Sequence, residues 1–284
     1  LNNIFGVDLN QESVEITKLA LWLKTASQNY KLQNLDENIK CGNSLIDDEN
    51  IVGNKAFKWE QGFPEIFTNM LAKGERLENG GIHSVNNRFG NNGFDVIIGN
   101  PPYVFTRTQG YEELLKKYYQ NYLLKNNVIQ EQKNKKTQSG KINLYTWFIL
   151  KSIELLRENG IMGFIVPNDI LRTTTYDLIR KYLLEHTKIL KIVDLGAGVF
   201  ENVTTSTVII ILEKTIKLDI ASNLNNTIEI ISNVEDFISN KYQKHTLQQR
   251  NFYENTSYAF NILIDNNKSK INSLLKENTI ELGN

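Results

Sequence analysis

The chain has 284 residues with 32 basic and 32 acidic side chains, 23% charged and 40% hydrophobic residues. This balance predicts a globular protein of one large domain, or one domain with an appendage. It argues against non-specific coating of nucleic acid, which needs a basic face or tail. The longest apolar runs, such as residues 208–212, are too short to span a bilayer, so we expect no membrane segment.

One cysteine and three histidines limit the chemistry available to metals and disulfides. Cys41 stands alone, which excludes an internal disulfide and a cysteine-cluster metal site and favours a reducing compartment, the cytoplasm. His83, His186 and His245 lie far apart in sequence without ligand spacing. We therefore predict no metal site.

The start of the chain predicts two short strands with a helix between them. Residues 4–9 form an apolar strand that ends in an acid, and the Asn10 side chain can cap the following helix. Residues 38–46 form the second strand. The helix carries apolar residues at i, i+3, i+4 and i+7, which share one face. These residues are Ile16, Leu19, Ala20 and Leu23.

The later elements alternate between helix and strand. Residues 95–99 predict a third strand, and residues 144–157 a strongly apolar helix that Gly160 closes in a left-handed conformation. Short apolar strands that alternate with helices predict an α/β fold with a largely parallel sheet covered on both faces. The further predicted elements are a strand at 161–167, a helix at 172–185, a strand at 188–195 and a strand at 205–214.

Two regions carry weaker patterns. Residues 47–93 contain scattered glycine and asparagine and predict an insertion with a short helix around residues 64–71. Residues 125–141 are polar and basic, which is typical of a mobile loop. The alternative is a loop that contacts DNA phosphates. Its candidate side chains are Lys133, Lys135 and Lys136.

The segment Gly-Asn-Pro-Pro-Tyr, residues 99–103, carries the clearest chemical signal. Ligands of parallel α/β sheets bind at the carboxyl ends of strands, where this sequence places Asp8, Asn43 and Asn100. Pro101 and Pro102 fix φ and cannot donate hydrogen bonds, so Asn100 and the carbonyls form a rigid arc of acceptors. Such an arc suits an exocyclic amino group on a flat heterocycle.

The arc predicts a specific chemistry for that amine. Its two N–H groups would donate to the Asn100 side-chain oxygen and the Pro101 carbonyl, while the Tyr103 ring stacks on the heterocycle. Holding both protons moves the nitrogen lone pair out of conjugation and aims it at an electrophile, so no strong general base is required. The alternative is a plain Asn-Pro-Pro turn after a strand.

The order of motifs resembles the gamma class of S-adenosylmethionine-dependent adenine-N6 DNA methyltransferases, particularly the methylase region of type IIG restriction-modification enzymes. The resemblance implies a Rossmann-like sheet, largely parallel with an antiparallel final strand, and double-stranded DNA with a flipped adenine as substrate. The matching segments cover most of residues 4–214 and are IFGVDLNQESVEITKLALWL, IKCGNSLI, FDVIIGNPPYV, INLYTWFILKSIELLRENGIMGFIVPNDILR and VFENVTTSTVIIILEK.

The resemblance assigns five residues to the cofactor, S-adenosylmethionine. Asp8 matches the acid that accepts from both ribose hydroxyls, although its charge could equally compensate a helix N-terminus. Leu9 and Phe148 match residues that pack on the cofactor's adenine, and core filling is the alternative for Phe148. Asn43, with Ser44 beside it, matches the contact to the adenine amino group. The family often has aspartate there, and an amide oxygen accepts more weakly.

The resemblance also assigns the catalytic and base-binding residues. Asn100, Pro101, Pro102 and Tyr103 match the family's catalytic turn. Phe200 matches the aromatic residue that stacks on the flipped adenine from the face opposite Tyr103. A phenylalanine in a glycine-containing loop with polar neighbours is poorly explained as core.

The departures from the family pattern predict a fragment. The family places a glycine-rich cofactor loop after its first strand, and nothing upstream of Asp8 supplies it, so we expect a sheet that lacks its first strand and a chain that is inactive alone. We assign residues 1–214 to a partial catalytic domain. Residues 215–284 would form its end and a helical linker toward an absent target-recognition domain, and any nuclease domain would lie outside the fragment.

Two other functions remain open from the sequence. A protein-glutamine methyltransferase also uses an Asn-Pro-Pro-Tyr turn, to hold a planar amide. The second is a truncated, inactive methylase-like module that binds DNA without modifying it.

Overall fold

The structure, a computed structural model, describes residues 3–25, 34–67, 93–105, 143–199, 205–215, 219–236 and 239–263. The chain divides into two compact units, Leu1–Gly93 and Phe94–Asn284. Within the described ranges, no helix has the length and apolarity that crossing a membrane requires.

The first unit contains a parallel pair of strands joined by a helix. Strand β1 is Gly6–Asp8, helix α1 is Gln11–Thr25 and strand β2 is Ile39–Cys41. The register places Asp8 beside Cys41. Both strands therefore end at the same edge, as a parallel connection through a helix requires.

Helix α1 begins as predicted but does not bury its predicted apolar face. The Asn10 side-chain oxygen accepts from the backbone N–H groups of Glu12 and Ser13 at 2.7 and 3.2 Å, so the cap is confirmed. Val14 is 1% exposed within the core of this unit, whereas Leu23 is 70% exposed. Ile16 and Leu19 are exposed as well. Helical spacing specifies which residues share a side, but not what covers that side.

Short helical segments follow β2. The helix predicted around residues 64–71 corresponds to α4, and residues 68–92 lie outside the described part of the chain. The segments are α2 (Glu49–Val52), a 3₁₀ turn (Gly53–Lys55), α3 (Trp59–Gly62) and α4 (Pro64–Phe67). The rings of Phe5, Phe57 and Trp59 pack around Phe63, which is fully buried.

The second unit is built on one mixed sheet. In spatial order its strands are β3 (Phe94–Gly99), β4 (Leu156–Pro167), β6 (Thr207–Lys214), β5 (Thr187–Gly196), β7 (Thr227–Asp236) and β8 (Lys241–Gln248). The β3–β4 and β5–β7 pairs are parallel, and β6 is antiparallel to both of its neighbours. The α/β class is confirmed, and the strand predicted at 205–214 is antiparallel to both of its neighbours as expected, but it is not the final strand of the sheet. Strands β7 and β8 extend the same sheet beyond residue 214, and the domain boundary proposed there stays a prediction.

Helices and 3₁₀ turns connect these strands. The helices are α5 (Leu144–Leu155), α6 (Asp177–His186), α7 (Ile220–Leu224) and α8 (Gln249–Tyr253). The 3₁₀ turns are Asn168–Leu171, Thr174–Tyr176 and Thr256–Tyr258.

Helix α5 ends two residues earlier than predicted because strand pairing takes over. Leu156 already lies beside Phe94 of β3. The left-handed residue is Asn159, with φ of 58°, and not Gly160 as the sequence predicted. At Gly160 a Cβ would lie 2.9 Å from the carbonyl oxygens of both Arg157 and Phe94. Glycine is therefore required here for close backbone approach rather than for a helix cap.

Helix α6 begins five residues later than predicted, and the preceding turns are held by Arg180. This side chain is fully buried, and its guanidinium donates to the carbonyls of Ile170 and Thr173 at 2.9 and 2.8 Å. It also donates to the carbonyls of Ser257 and Tyr258. The planar fork of arginine can reach several acceptors at once, so Arg180 ties the turns after β4 to the last described segment.

Gln249 provides a second buried polar link. Its Nε2 donates to the Leu184 and Thr187 carbonyls at 2.8 Å each, and its Oε1 accepts from the Ile189 N–H at 2.9 Å. The fully buried amide thus satisfies backbone groups at the junction of α6 and β5.

Candidate active site

The first unit brings the predicted cofactor residues to one strand edge. The Gly42 N–H donates to the Asp8 carbonyl at 2.9 Å, so Asp8 and Asn43 follow neighbouring strand ends. The Asp8 side chain is exposed, and its Oδ1 accepts from the Asn10 N–H at 2.8 Å. Among the described residues nothing donates to Asp8 Oδ2, and Leu9 beside it is exposed. One carboxylate oxygen is thus available to a ligand along with an apolar surface.

Asn43 uses its amide oxygen within its own chain. Oδ1 accepts from the backbone N–H groups of Leu45 and Ile46, both at 3.0 Å, and the residue is 9% exposed. The neighbouring Ser44 carbonyl accepts from the Trp59 indole N–H at 3.0 Å. A carbonyl oxygen has two lone pairs, so the oxygen predicted to accept the adenine amino group is already engaged. The assignment of Asn43 to the cofactor stays a prediction.

An acidic depression lies near this edge but does not form a metal centre. It encloses about 450 Å³ and is lined by Asp47, Asp48, Glu49, Asn50 and Lys58. In the described ranges, no three His, Cys, Asp or Glu side chains converge as metal ligands. The depression shares no residue with the predicted site.

The second unit forms the Asn-Pro-Pro-Tyr arc at the end of β3. Gly99 lies beside Phe164 of β4, and a Cβ at Gly99 would come 3.0 Å from the Phe164 ring. The Asn100 side chain is exposed and makes no hydrogen bond to another described residue. Pro101 is buried and Pro102 is exposed. The arc is therefore anchored at Pro101 and presents the Asn100 amide outward.

Tyr103 is fixed beside this amide. Its hydroxyl donates to the Ile165 carbonyl of β4 at 3.0 Å, and burial raises the pKa of the hydroxyl, which favours the neutral donor. Immediately after it, the Val104 carbonyl accepts from the Leu144 N–H at 2.9 Å, and Phe105 forms a bridge with Asn143. The arc is thus attached to β4 and to the start of α5.

A cluster of the buried Tyr145 and Tyr176 and the half-buried Asp169 lies behind Tyr103; we call it the tyrosine–aspartate cluster. The Tyr145 hydroxyl donates to Asp169 Oδ1 at 2.8 Å, and the Tyr176 hydroxyl lies against the same carboxylate. The Tyr145 ring meets the Tyr103 ring edge to face, with centroids 6.4 Å apart and planes at 87°. Sequence reasoning missed this cluster because its members are far apart along the chain.

Burial dominates the electrostatics of the cluster. It raises the pKa of the Asp169 carboxyl, while the hydrogen bond from Tyr145 acts in the opposite direction. It also raises the pKa of Tyr176 to about 12 and that of Tyr145 well above the ordinary tyrosine value. Both hydroxyls therefore remain protonated donors at neutral pH.

The remaining predicted residues are placed in part. Phe148 is half-buried on α5, one turn beyond Tyr145, and its role stays a prediction. Phe200 lies outside the described residues, as do the three lysines of the polar loop. The predicted site residues that are described therefore fall into two groups, one on each unit.

Comparisons with known proteins agree on one family. Residues 2–200 match the Eco57I restriction-modification methylase family. The type II restriction enzyme and methyltransferase RM.Eco57I of Escherichia coli is 27% identical over 222 residues, which cover 74% of this chain and 19% of that protein. The type II methyltransferase M.AccI of Acinetobacter calcoaceticus is 30% identical over 167 residues, covering 57% and 28%. The chain thus spans less than a third of either relative.

The fold comparison is consistent with this match. The type I restriction-modification methyltransferase subunit of Streptococcus thermophilus aligns with a TM-score of 0.51 and 18% identity, over 91% of this chain and 47% of that one. At this level of identity, the similarity shows a shared fold.

Proposed function

Because the chain belongs to the Eco57I restriction-modification methylase family, we propose that it transfers a methyl group from S-adenosylmethionine to N6 of an adenine flipped out of double-stranded DNA. The reaction would serve a restriction-modification system. The observation that carries the proposal is the arc after β3, with an exposed Asn100 amide beside a tethered Tyr103 ring.

In this mechanism, Asn100 and Pro101 bind the two N–H groups of the target amine. The Asn100 Oδ1 and the Pro101 carbonyl would each accept one hydrogen bond from the amine, which removes the nitrogen lone pair from the ring's π system and directs it at the methyl group. Catalysis then comes from orientation and from stabilising the positive charge that develops on nitrogen. The nitrogen–methyl bond would form as the cofactor's sulfur–methyl bond breaks, and the surplus proton on nitrogen would then pass to water, so a strong base is unnecessary.

Tyr103 supplies one face of the base pocket. Its hydroxyl is tethered to β4, so the ring is held while the base stacks on it. Extrusion of a base from duplex DNA costs a few kcal/mol, which stacking in the pocket offsets in part. Phe200 is proposed for the opposite face, on the family resemblance alone.

The residues of the first unit fit a nucleoside-bearing cofactor in part. S-adenosylmethionine supplies an electrophilic methyl group when bound. Asp8 Oδ2 would accept from the ribose hydroxyls, and the exposed Leu9 side chain would pack on the adenine ring. Phe148, which belongs to the second unit, is proposed for the adenine on the family resemblance alone. Asn43 and Ser44 are proposed to contact the adenine amino group. The Asn43 side-chain oxygen would first have to give up its hydrogen bonds from the Leu45 and Ile46 N–H groups.

Replacement of Asn100 tests the proposal. In the protein as its gene encodes it, Asn100→Ala removes one of two acceptors that act on the developing charge, so we expect kcat to fall by about 100-fold or more. Methylated adenine is measured by mass spectrometry of digested DNA. Asn225→Ala, which alters another exposed asparagine, in the turn after α7, serves as the control and should leave kcat unchanged.

Three outcomes would contradict the proposal. Retained adenine methylation by Asn100→Ala would remove the amide from the mechanism. Methyl transfer to glutamine in a peptide, with none to DNA, would indicate the protein-glutamine activity. DNA binding by the unsubstituted protein without any methylation would indicate an inactive binding module.

A further inference from the structure

The tyrosine–aspartate cluster is more polar than its position in the core requires. Tyr145 is 0% exposed, at the second residue of α5, where an apolar side chain would fill the same volume. Its hydroxyl instead donates to Asp169, a partly buried carboxylate whose burial is unfavourable. Buried hydroxyl–carboxylate bonds are directional and fix the placement of the groups they join.

The hydrogen bond to Asp169 fixes the position of the Tyr145 ring, which lies beside Tyr103. Tyr145 meets Tyr103 edge to face, and it also packs against Tyr176 with ring centroids 5.7 Å apart. The ring of Tyr145 is thus enclosed between its own hydrogen bond and a second buried tyrosine. It has little freedom to move away from Tyr103.

Strand β4 and the turn after it support both tyrosines. The Ile165 carbonyl holds the Tyr103 hydroxyl, and Asp169, four residues further along, holds the Tyr145 hydroxyl. Each ring is therefore attached at its hydroxyl to one continuous segment, residues 165–169. The two rings touch in between, so their relative orientation is set by that segment.

We propose that Tyr145 and Asp169 are positioning residues, which fix the tilt of the Tyr103 ring so that the target base stacks on it in the reactive orientation. The inference rests on the proposed function, since it concerns the ring on which the base would stack. Neither residue touches the base. They act through Tyr103.

Matched variants test the inference. Tyr145→Phe keeps the ring and removes the hydrogen bond to Asp169, and Asp169→Asn keeps an acceptor for it. Tyr253→Phe is the control, because it removes a tyrosine–carboxylate bond of 2.9 Å, to Glu185, elsewhere in the unit. We expect Tyr145→Phe to lower kcat about tenfold with little change in KM, since small misplacements of reacting groups are costly. Asp169→Asn should retain most of the kcat of the unsubstituted protein, and Tyr253→Phe should retain all of it.

A second measurement does not depend on activity. With 3-fluorotyrosine at position 103, fluorine NMR should give one sharp resonance in the unsubstituted and Tyr253→Phe proteins. Tyr145→Phe should broaden or shift it. An unchanged resonance together with unchanged kcat in Tyr145→Phe would overturn the inference while leaving the proposed function intact. A changed resonance in a protein that never methylates adenine would leave the positioning intact and defeat the proposed function.

Discussion

Two asparagines occupy similar places in the two units, yet their amide oxygens behave differently. Asn43 and Asn100 each follow a glycine near the carboxyl end of a strand. The Asn43 oxygen accepts from the N–H groups two and three residues further along. The exposed Asn100 side chain bonds to no other residue in the described ranges.

The residues that follow explain this difference. Leu45 has a backbone N–H, whereas Pro102, at the same distance from Asn100, has none. Asparagine side chains commonly accept from the N–H two residues on, in an Asx turn. That turn forms at Asn43 and cannot form at Asn100. The second proline therefore does more than stiffen the arc, because it prevents Asn100 from binding its own backbone at this position.

Restoring an N–H group at position 102 should have the largest effect. In Pro102→Ala, residue 102 can donate to the Asn100 oxygen as Leu45 does to Asn43. We expect kcat for the proposed methyl transfer to fall about tenfold to a hundredfold, because the amide would turn away from the proposed target amine. Pro64→Ala, at the first position of α4, is the control. Unchanged kcat in Pro102→Ala would mean that the availability of the oxygen does not depend on proline.

Gly42 and Gly99, which precede the two asparagines, differ in how closely neighbouring atoms approach them. A Cβ at Gly42 would lie 2.7 Å from the Cβ of Phe57, and one at Gly99 would lie 3.0 Å from a ring carbon of Phe164. Overpacking costs about 1–3 kcal/mol. We expect Gly42→Ala to lower the free energy of unfolding more than Gly99→Ala, since a Cβ cannot rotate away as a ring can. Denaturant unfolding measures both, and the reverse order would contradict the comparison.

Loss of the Asn43 turn should have a local effect. Asn43→Ala removes acceptors for the Leu45 and Ile46 N–H groups, which would cost about 1 kcal/mol. Amide hydrogen exchange at those two residues should accelerate in Asn43→Ala. Asn43→Asp keeps an acceptor and should preserve the slow exchange. Equal exchange in both variants would show that the side chain does not hold this turn.

Alkaline pH should lower the free energy of unfolding through Tyr176 of the tyrosine–aspartate cluster, which lies behind Tyr103. Unfolded tyrosine loses its proton near pH 10.0, whereas burial raises the pKa of Tyr176 to about 12 in the folded protein. Stability from this shift is full below pH 10 and is lost as pH rises through about 12. We expect Tyr176→Phe to flatten the decline in the free energy of unfolding over that range. Parallel pH profiles for the two proteins would contradict the shift.

The sequence predicted the features that depend on residues close together in the chain. Strand β3 (Phe94–Gly99), predicted over residues 95–99, is followed by the proline arc because apolar β-formers lead directly into Asn100 and the two prolines. The cap at Asn10 was predicted for the same reason. The Asx turn at Asn43 is also local, but the sequence analysis predicted a cofactor contact for the same oxygen and not this turn.

The features that the sequence did not reveal depend on distant contacts. Tyr145 and Asp169 meet across 24 residues, and no periodicity links them. Gly160 was predicted to cap a helix, because the sequence does not show that strand pairing brings the Phe94 carbonyl close to it. The exposed apolar side of α1 likewise depends on packing, which helical spacing alone does not determine.

The buried guanidinium of Arg180 restricts where this chain can be shortened. Two of its carbonyl partners, those of Ser257 and Tyr258, belong to the last described segment, and both residues have positive φ, at 55° and 54°. A truncation at residue 214 would remove these partners together with β7, β8 and Gln249. The buried N–H donors would then lack acceptors, at a cost of about 1–3 kcal/mol for each group. A shortened version intended to fold should therefore extend at least through residue 262, where Phe260 and Ile262 complete the buried core.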